Sequence, residues 1–162
     1  MKDLFEFLFE KPELRKLTKE LHETMLFRDL SHAELDRVIA HAQLRSFKKG
    51  DHIFFEGDPG SALYVILKGN IQILRHVHGK HVVLADLSKG MFFGELALVH
   101  GMPRTATALV TEDALMVCLF RHNFEAVIKH YPKLGTKLLA SISRILAKRL
   151  ATTIERSVDN KR

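Results

Sequence analysis

The stretch ALYVILKGNIQILRHVHGKHVVLADLSKG, residues 62–90, decides the fold that we predict for this chain. It joins two runs rich in β-branched and aromatic residues, and Gly79 lies between them where a hairpin tip is expected. Such runs, cut by glycines, are typical of a compact antiparallel β-roll or jelly roll, which we place at about residues 44–120. Further runs of the same texture flank the stretch, in residues 45–58, 104–110 and 114–120.

Helical patterns precede the predicted roll. Leucines recur at helical spacing within residues 2–27, which predicts helix there. Ser31 and Glu34 have the spacing of a capping box, which predicts another helix after Ser31. We therefore expect a helical extension over residues 1–28, followed by the domain that contains the roll.

Helix is also expected after the roll. HNFEAVIKHYP, residues 122–132, predicts a short helix ended by its final proline. KLGTKLLASISRILAKRLATTIE, residues 133–155, carries apolar residues on one face of a longer helix. The predicted class is α+β, mainly β. The predicted domain spans residues 29–154, and its C-terminal helices lie at about residues 121–154. A polar tail is expected over residues 155–162.

The composition is that of one globular domain of ordinary size. The chain has 162 residues, of which 46% are hydrophobic and 27% are charged. No apolar run approaches the roughly 18 residues that a membrane span needs, so no span is expected. Acidic residues interrupt the apolar N-terminus, which therefore does not have the pattern of a secretory signal.

The cysteine content and the distribution of charge indicate which cellular compartment and which kinds of partner to expect. Cys118 is the single cysteine and lies in an apolar run, so we expect a buried core thiol in a reducing, cytoplasmic compartment. The net charge is +6, and the excess of Lys and Arg lies in the segment from Lys129 onward. Any attraction for polyanions is therefore expected from the C-terminal helix.

One further stretch, FFGELALVHGMPRTAT, residues 92–107, predicts a binding site. Gly94 permits a sharp turn, and the amides that open the short helical turn after it can hold a phosphate oxygen. Arg104 offers a fixed positive fork to the same anion, and Glu95 can accept hydrogen bonds from a ribose hydroxyl. The alternative is a surface ion pair between Glu95 and Arg104, since such pairs are common and weak. These residues alone leave the two interpretations equally open.

The same stretch resembles a known motif. F-G-E-L-A-L, a short spacer and P-R-T-A-T are similar to the phosphate-binding cassette of cyclic nucleotide-binding domains. These domains occur in bacterial catabolite activator-type regulators, in cAMP- and cGMP-dependent kinases and in nucleotide-gated channels. The resemblance covers about residues 30–154, and it implies the β-roll with a C-terminal helix that covers the base.

The resemblance also implies a role for each matching position. Glu95 would hold the ribose 2′-hydroxyl, and Arg104 would hold the cyclic phosphate. Thr153, or its neighbour Thr152, would contact the base from the C-terminal helix. The other implied ligand-binding residues are Gly94, Leu96, Ala97, Thr105 and Ala106 in the cassette, and Ile73 and Ala85 on the strands beside the nucleotide.

The function implied by the resemblance is that of a cyclic nucleotide receptor without a bound cofactor. Thr105 is compatible with cGMP, whereas Thr153 favours adenine, so we expect cAMP rather than cGMP. Ligand-driven movement of the C-terminal helix would signal to an unidentified protein partner, and the apolar stripe of that helix predicts a homodimer. No winged helix-turn-helix follows residue 154, so we expect a sensor without specific DNA binding.

Two alternatives to this function stay open at this stage. One is an interaction scaffold that responds to no nucleotide, and the other is the sensor fragment of a larger channel or transcription regulator. An enzyme is not expected, because no nucleophile, P-loop or paired-acid pattern is present. The imidazoles of His76, His78 and His81 are interpreted as an exposed polar hairpin tip rather than a metal site.

Overall fold

The computed structural model describes the backbone of residues 11–159 and the side chains of residues 16–155 apart from His100. Within this described part the chain forms five helices and six strands. In chain order they are α1 (Lys11–His22), α2 (His32–Ile39), β1 (Gln43–Phe47), β2 (His52–Phe54), β3 (Ala62–Val77), β4 (Lys80–Leu87), β5 (Phe92–Phe93), α3 (Glu95–His100), β6 (Thr107–Phe120), α4 (Arg121–His130) and α5 (Pro132–Asp159).

The six strands form one antiparallel sheet. Its main path is β1-β6-β3-β4, with β2 also paired to β6 and β5 also paired to β3. The two longest strands, β3 and β6, pair over most of their length, and register shifts interrupt the ladder. Such irregularities bend and twist long strands, which allows the sheet to curl into a roll. The predicted α+β fold, an antiparallel β-roll with flanking helices, is confirmed.

The hairpin between β3 and β4 has the predicted tip. Val77 pairs with Lys80, which leaves His78 and Gly79 as a two-residue turn. The φ angles of these two residues are 48° and 78°. Positive φ at both central positions is what a type I′ turn requires, and this turn follows the twist of antiparallel strands. The glycine between the two β-rich runs therefore sets the hairpin register.

The first six residues of strand β3, residues 62–67, are buried on both faces, and two hydrophobic clusters account for this. Leu63, Val65 and Leu67 pack in the cluster that contains the buried residues of the helices. The alternate residues from Ala62 to Ile66 pack in the second cluster, with β6 and Phe93, inside the roll. A strand segment that is covered on both sides has a continuous apolar sequence, as residues 62–67 do.

The N-terminal helices confirm one prediction and correct another. The capping box before α2 is present, with Glu34 N donating to Ser31 Oγ at 3.2 Å and Ser31 N donating to Glu34 Oε2 at 2.7 Å. The prediction of helix over residues 2–27 is wrong at its end, because α1 stops at His22 and turns follow. Thr24 Oγ1 donates to Leu21 O at 2.6 Å, a local bond that competes with further helix. The earlier part of that prediction, residues 2–10, lies outside the described residues.

The C-terminal helix is longer than expected. α5 runs without a break from Pro132 to Asp159, so residues 155–159 of the predicted polar tail are helical. Its buried face joins α1 and α2 in one cluster, and Lys137 Nζ reaches Glu34 Oε2 at 2.8 Å. The division of the chain at residue 28 stays a prediction. No helix within residues 11–159 combines the length and apolar character that a membrane crossing requires.

Candidate functional site

A cavity of about 790 Å³ lies between the roll and α5. Its size falls in the usual range for small-molecule sites, about 300–1,000 Å³. All ten residues predicted as ligand contacts line it, although their role in binding stays a prediction. They are Ile73, Ala85, Gly94, Glu95, Leu96, Ala97, Arg104, Thr105, Ala106 and Thr153.

Arg104 is a buried cation at this cavity, with only 6% of its surface exposed. Nη1 donates to Gly94 O at 3.3 Å, Nη2 donates to Ala62 O at 3.0 Å, and Cζ lies 4.0 Å from the centre of the Phe54 ring. Burial lowers the pKa of its guanidinium from the ordinary value. Among the described residues it forms no ion pair, and its buried Nε has no hydrogen-bond partner. A buried charge without a counter-charge is costly, so the site is electrostatically prepared for an anion.

Gly94 is required by the geometry at the start of α3. Its φ of 82° lies in the left-handed region. A Cβ atom there would lie 2.7 Å from Arg104 Nη1 and 2.8 Å from Ala62 O. The glycine therefore lets the guanidinium approach the backbone closely, which a side chain would prevent.

We predict that Gly94→Ala destabilises the protein more than Gly50→Ala does. Gly50 has a similar φ of 93°, but no atom lies within 4 Å of the position that a Cβ would take there. Gly50→Ala therefore measures the cost of the left-handed backbone conformation alone. Left-handed backbone should cost Gly50→Ala about 1–2 kcal/mol of unfolding free energy. The close contacts should cost Gly94→Ala about 1–3 kcal/mol more, measured by urea denaturation. Equal losses in the two variants would show that the neighbours of Gly94 yield freely.

Glu95 is also buried, with 6% of its surface exposed, and its partner comes from α5. Arg149 Nη1 donates to Glu95 Oε1 at 2.6 Å, and Arg149 Nη2 donates to Phe92 O at 2.6 Å. The alternative of a surface ion pair between Glu95 and Arg104 is therefore wrong, because Arg149 is the cation that pairs with this acid. The bond ties the C-terminal helix directly to the cassette.

A known protein family matches the segment of the chain that contains most of these residues. The sequence model of one family, described as "Cyclic nucleotide-binding domain", matches residues 44–131. The chain belongs to this family. The matched segment covers the roll from residue 44 onward and α4.

Several relatives resemble this cyclic nucleotide-binding domain over most of its length. A cyclic AMP receptor protein of Thermus thermophilus is 35% identical over 122 residues, which is 75% of this chain and 56% of that protein. A cAMP-dependent protein kinase regulatory subunit of Mycosarcoma maydis is 30% identical over 138 residues, 83% of this chain and 25% of that protein. A cGMP-dependent protein kinase of Toxoplasma gondii is 38% identical over 102 residues, 62% of this chain and 10% of that protein. The chain therefore spans about half or less of these relatives.

Solved structures confirm the fold. The catabolite activator protein of Thermus thermophilus superposes with a TM-score of 0.71 at 32% identity, covering 83% of this chain and 63% of that one. A cyclic nucleotide-binding domain from Methylobacillus flagellatus gives a TM-score of 0.84 at 22% identity, covering 99% of this chain and 96% of that one. At that identity the second match supports the fold alone.

Arg149 was missed by the sequence analysis, although a signal for it was present. It precedes Thr153 by four residues, a spacing that places both on the same face of a helix. Thr153 was identified as a site residue, and Thr153 Oγ1 donates to Arg149 O at 2.9 Å. A basic residue one turn before a predicted ligand contact was therefore a candidate for the same cavity.

Arg121, the first residue of α4, was also missed. Its Nη2 donates to Gly60 O at 2.8 Å and makes a further hydrogen bond to Ala97 O in α3. Its backbone N donates to Ser61 O at 2.7 Å. Arg121 thus ties α3 and the loop before β3 to the start of α4.

The two threonines predicted to contact the base lie at the cavity, and their contact with a base stays a prediction. Thr153 and Thr152 both line it from α5. Thr152 Oγ1 donates to Lys148 O at 3.1 Å, which parallels the bond of Thr153 within the helix. The hydroxyl oxygen of Thr152 keeps lone pairs with which it can accept from a base.

The histidines and the cysteine match their predicted surroundings. His76, His78 and His81 are exposed at the β3–β4 hairpin. In the part of the chain that the structure describes, no three His, Cys, Asp or Glu side chains form a group that could hold a metal ion. Cys118 is buried as predicted, and burial raises the pKa of its thiol to about 12, so the thiolate is scarce at neutral pH.

Proposed function

We propose that this chain is a cyclic nucleotide receptor module that binds cAMP in preference to cGMP. The observation that carries the proposal is the buried guanidinium of Arg104, which lines the cavity without an ion-pair partner among the described residues. A cyclic phosphodiester supplies the single negative charge that this cation lacks. Glu95, in the same cavity, would accept a hydrogen bond from the ribose 2′-hydroxyl, and the backbone from Gly94 to Ala97 would line the phosphate end.

The preference for cAMP rests on the base end of the cavity. Thr152 and Thr153 line it from α5, and Thr153 is the residue expected to meet adenine. Thr105, which is compatible with cGMP, is exposed and also lines the cavity. Relatives named for cAMP and a relative named for cGMP both match the chain. Binding measurements with each nucleotide must therefore distinguish cAMP from cGMP.

We propose that a change in the position of α5 transmits the signal that a ligand has bound. Arg149 links α5 to Glu95, so a ribose that repositions Glu95 also acts on the helix. The shift in the helix equilibrium would equal the difference in ligand affinity between its two positions. The output would be regulatory rather than catalytic and would pass to an unidentified protein partner.

The oligomeric state and the cellular compartment of the module are proposed from separate observations. Leu150 and Ile154 of α5 are 62% and 56% exposed, which supports a homodimer through this helix. The single buried thiol supports a reducing, cytoplasmic compartment.

Separate titrations of cAMP and cGMP, followed by the melting temperature, test the receptor function. A ligand at 100 times its Kd stabilises a protein by about 2.7 kcal/mol. For a chain of this size that should raise the melting temperature by about 5–10 °C. We expect this rise with cAMP, a smaller one with cGMP, and none with 5′-AMP, the matched control that lacks the cyclic phosphate. A melting temperature that neither cyclic nucleotide moves would favour the nucleotide-independent scaffold.

A further inference from the structure

A second cavity, of about 220 Å³, lies between α5 and the turn that follows α1. Its wall is formed by Met25, Arg28, Ser141, Arg144, Ile145 and Lys148. Among these described residues every charged side chain is basic, and two of the three cations belong to α5. The sequence analysis expected any attraction for anions from this helix. A small cavity with three cations in its wall favours a negatively charged ligand.

One acid, Asp29, offsets these cations only in part. Asp29 forms an ion pair with Arg144, and its Oδ1 lies 4.0 Å from Nε of Arg28. Lys148 forms no ion pair among the described residues. Three cations and one carboxylate leave a net charge of +2 around the cavity. A ligand with one or two negative charges would therefore neutralise it.

Ser141 adds a buried hydrogen-bond donor to the same wall. Only 2% of its surface is exposed, and its Oγ accepts from Arg144 Nη2 at 3.2 Å. Its own hydroxyl hydrogen has no acceptor among the described residues, so this hydroxyl can donate to a bound oxygen. Arg144 uses Nη2 for its bonds to Ser141 and Asp29, so its Nη1 and Nε can bind a further oxygen. The wall thus combines positive charge with directed hydrogen bonds, which suits a phosphate group.

This second cavity is distinct from the two other sites that we assign to α5. It shares Met25, Ile145 and Lys148 with the large cavity, but none of the ten predicted nucleotide contacts lines it. Lys148 and Leu150 are two residues apart, which places them on nearly opposite faces of the helix. A homodimer through Leu150 and Ile154 would therefore leave the second cavity open.

We propose that the second cavity binds a phosphate group, either as the free ion or carried by a small molecule. The three cations of its wall and the hydroxyl of Ser141 would donate to the phosphate oxygens. The volume of the cavity is below the usual range for drug-sized ligands, about 300–1,000 Å³, so the phosphate would carry few further atoms. The proposal does not depend on the receptor function, because it uses none of the predicted nucleotide contacts.

Titration of the full chain with inorganic phosphate, followed by amide NMR, tests the site. Phosphate replaces sodium chloride at constant ionic strength, so that chloride is the control anion. We expect saturable shifts in the amides of residues 25–29 and 141–148, with a Kd of about 1 mM, because exposed ion pairs contribute little each. The shifts should persist in Arg104→Met, which removes the buried cation of the large cavity. Absence of saturable shifts, or their loss in Arg104→Met, would overturn the proposal.

Glycerol 3-phosphate, titrated in the same way, distinguishes the two sources of the phosphate group. If the cavity takes a small phosphorylated molecule, glycerol 3-phosphate should bind at least as tightly as inorganic phosphate. If the free ion is the ligand, the glycerol group should weaken binding. Binding of neither compound would overturn the proposal.

Charge variants measure the contribution of the wall. Lys148→Met and Arg28→Met should each raise the Kd for phosphate about two- to fivefold, because each removes one exposed cation. Lys133→Met is the matched control, since Lys133 is an exposed lysine of α5 that lines neither cavity. Asp29→Asn should have the opposite effect and lower the Kd about two- to fivefold, because it removes the acid while its amide oxygen can still accept from Arg144. Equal affinities in Lys148→Met and Lys133→Met, or weaker binding in Asp29→Asn, would contradict the proposed site.

Discussion

Replacement of Arg104 by methionine should lower the affinity for cAMP at least about 30-fold and leave the fold intact. Loss of one partner of a buried, hydrogen-bonded charge pair costs about 2–5 kcal/mol of binding free energy. Methionine keeps an apolar stem that can pack on Phe54, whose ring centre lies 4.0 Å from Cζ of Arg104. Calorimetric titration of the variant and the wild type measures the loss.

The ligand-free stability of the same variant should change little. Arg104 makes two hydrogen bonds to carbonyl oxygens, but it is a buried cation without an ion-pair partner among the described residues. Methionine removes the desolvation cost of a buried charge, which offsets the loss of these two hydrogen bonds. We therefore expect the melting temperature to fall by no more than a few degrees, and a fall of more than about 10 °C would assign Arg104 a structural role.

Two further variants separate charge from geometry at this position. Arg104→Lys keeps the charge but loses the planar fork, so its affinity should lie between those of the wild type and Arg104→Met. Arg75→Met is the matched control, because Arg75 is an exposed arginine paired with Glu56 at 3.1 Å and does not line the cavity. Wild-type affinity in Arg104→Met would remove Arg104 from the site.

The roll could be predicted because its signals are local. The register of the β3–β4 hairpin depends on two residues at its tip, His78 and Gly79, and on alternation along the strands beside them. The capping box before α2 depends on Ser31 and Glu34 alone. The end of α1 could not be predicted in this way, because leucine spacing continues past His22 while the bond of Thr24 and the packing of the turn end the helix.

The residues of the site show the same difference between local and long-range signals. The cassette residues are close in sequence, so the motif identified them together. Arg149 pairs with Glu95 across 54 positions, and Arg121 bonds to Ala97 across 24. Proximity in sequence favoured Arg104 as the partner of Glu95, whereas the fold brings α5 over the cassette and supplies Arg149.

Replacement of Glu95 by alanine should lower the affinity for cAMP about 10- to 100-fold and leave the affinity for 2′-deoxy-cAMP nearly unchanged. A hydrogen bond to a charged group contributes about 1.5–3 kcal/mol, and only the ribose 2′-hydroxyl would make it to this carboxylate. The 2′-deoxy ligand is the matched control, since it keeps the phosphate and the base. Equal losses for both ligands would show that Glu95 supports the cassette and does not bind the ribose.

Arg149 provides the control variant for this prediction. Arg149 donates to Oε1 of Glu95, so Oε2 can accept from the ribose at the same time. On this geometry Arg149 is a positioning residue that acts through Glu95. Arg149→Met should therefore lower the ratio of cAMP affinity to 2′-deoxy-cAMP affinity, but by less than Glu95→Ala does.

The double variant decides whether the two residues form one unit. If Arg149 acts on the ribose only through Glu95, adding Arg149→Met to Glu95→Ala should change the ratio of the two affinities no further. Residues in direct contact depart from additivity in this way, whereas independent residues add. Additive losses in the double variant would mean that Arg149 meets the nucleotide by itself. Non-additive losses would place the link between ligand and α5 at the Arg149–Glu95 bond, where hydrogen exchange of α5 amides should respond to cAMP in the wild type and not in either single variant.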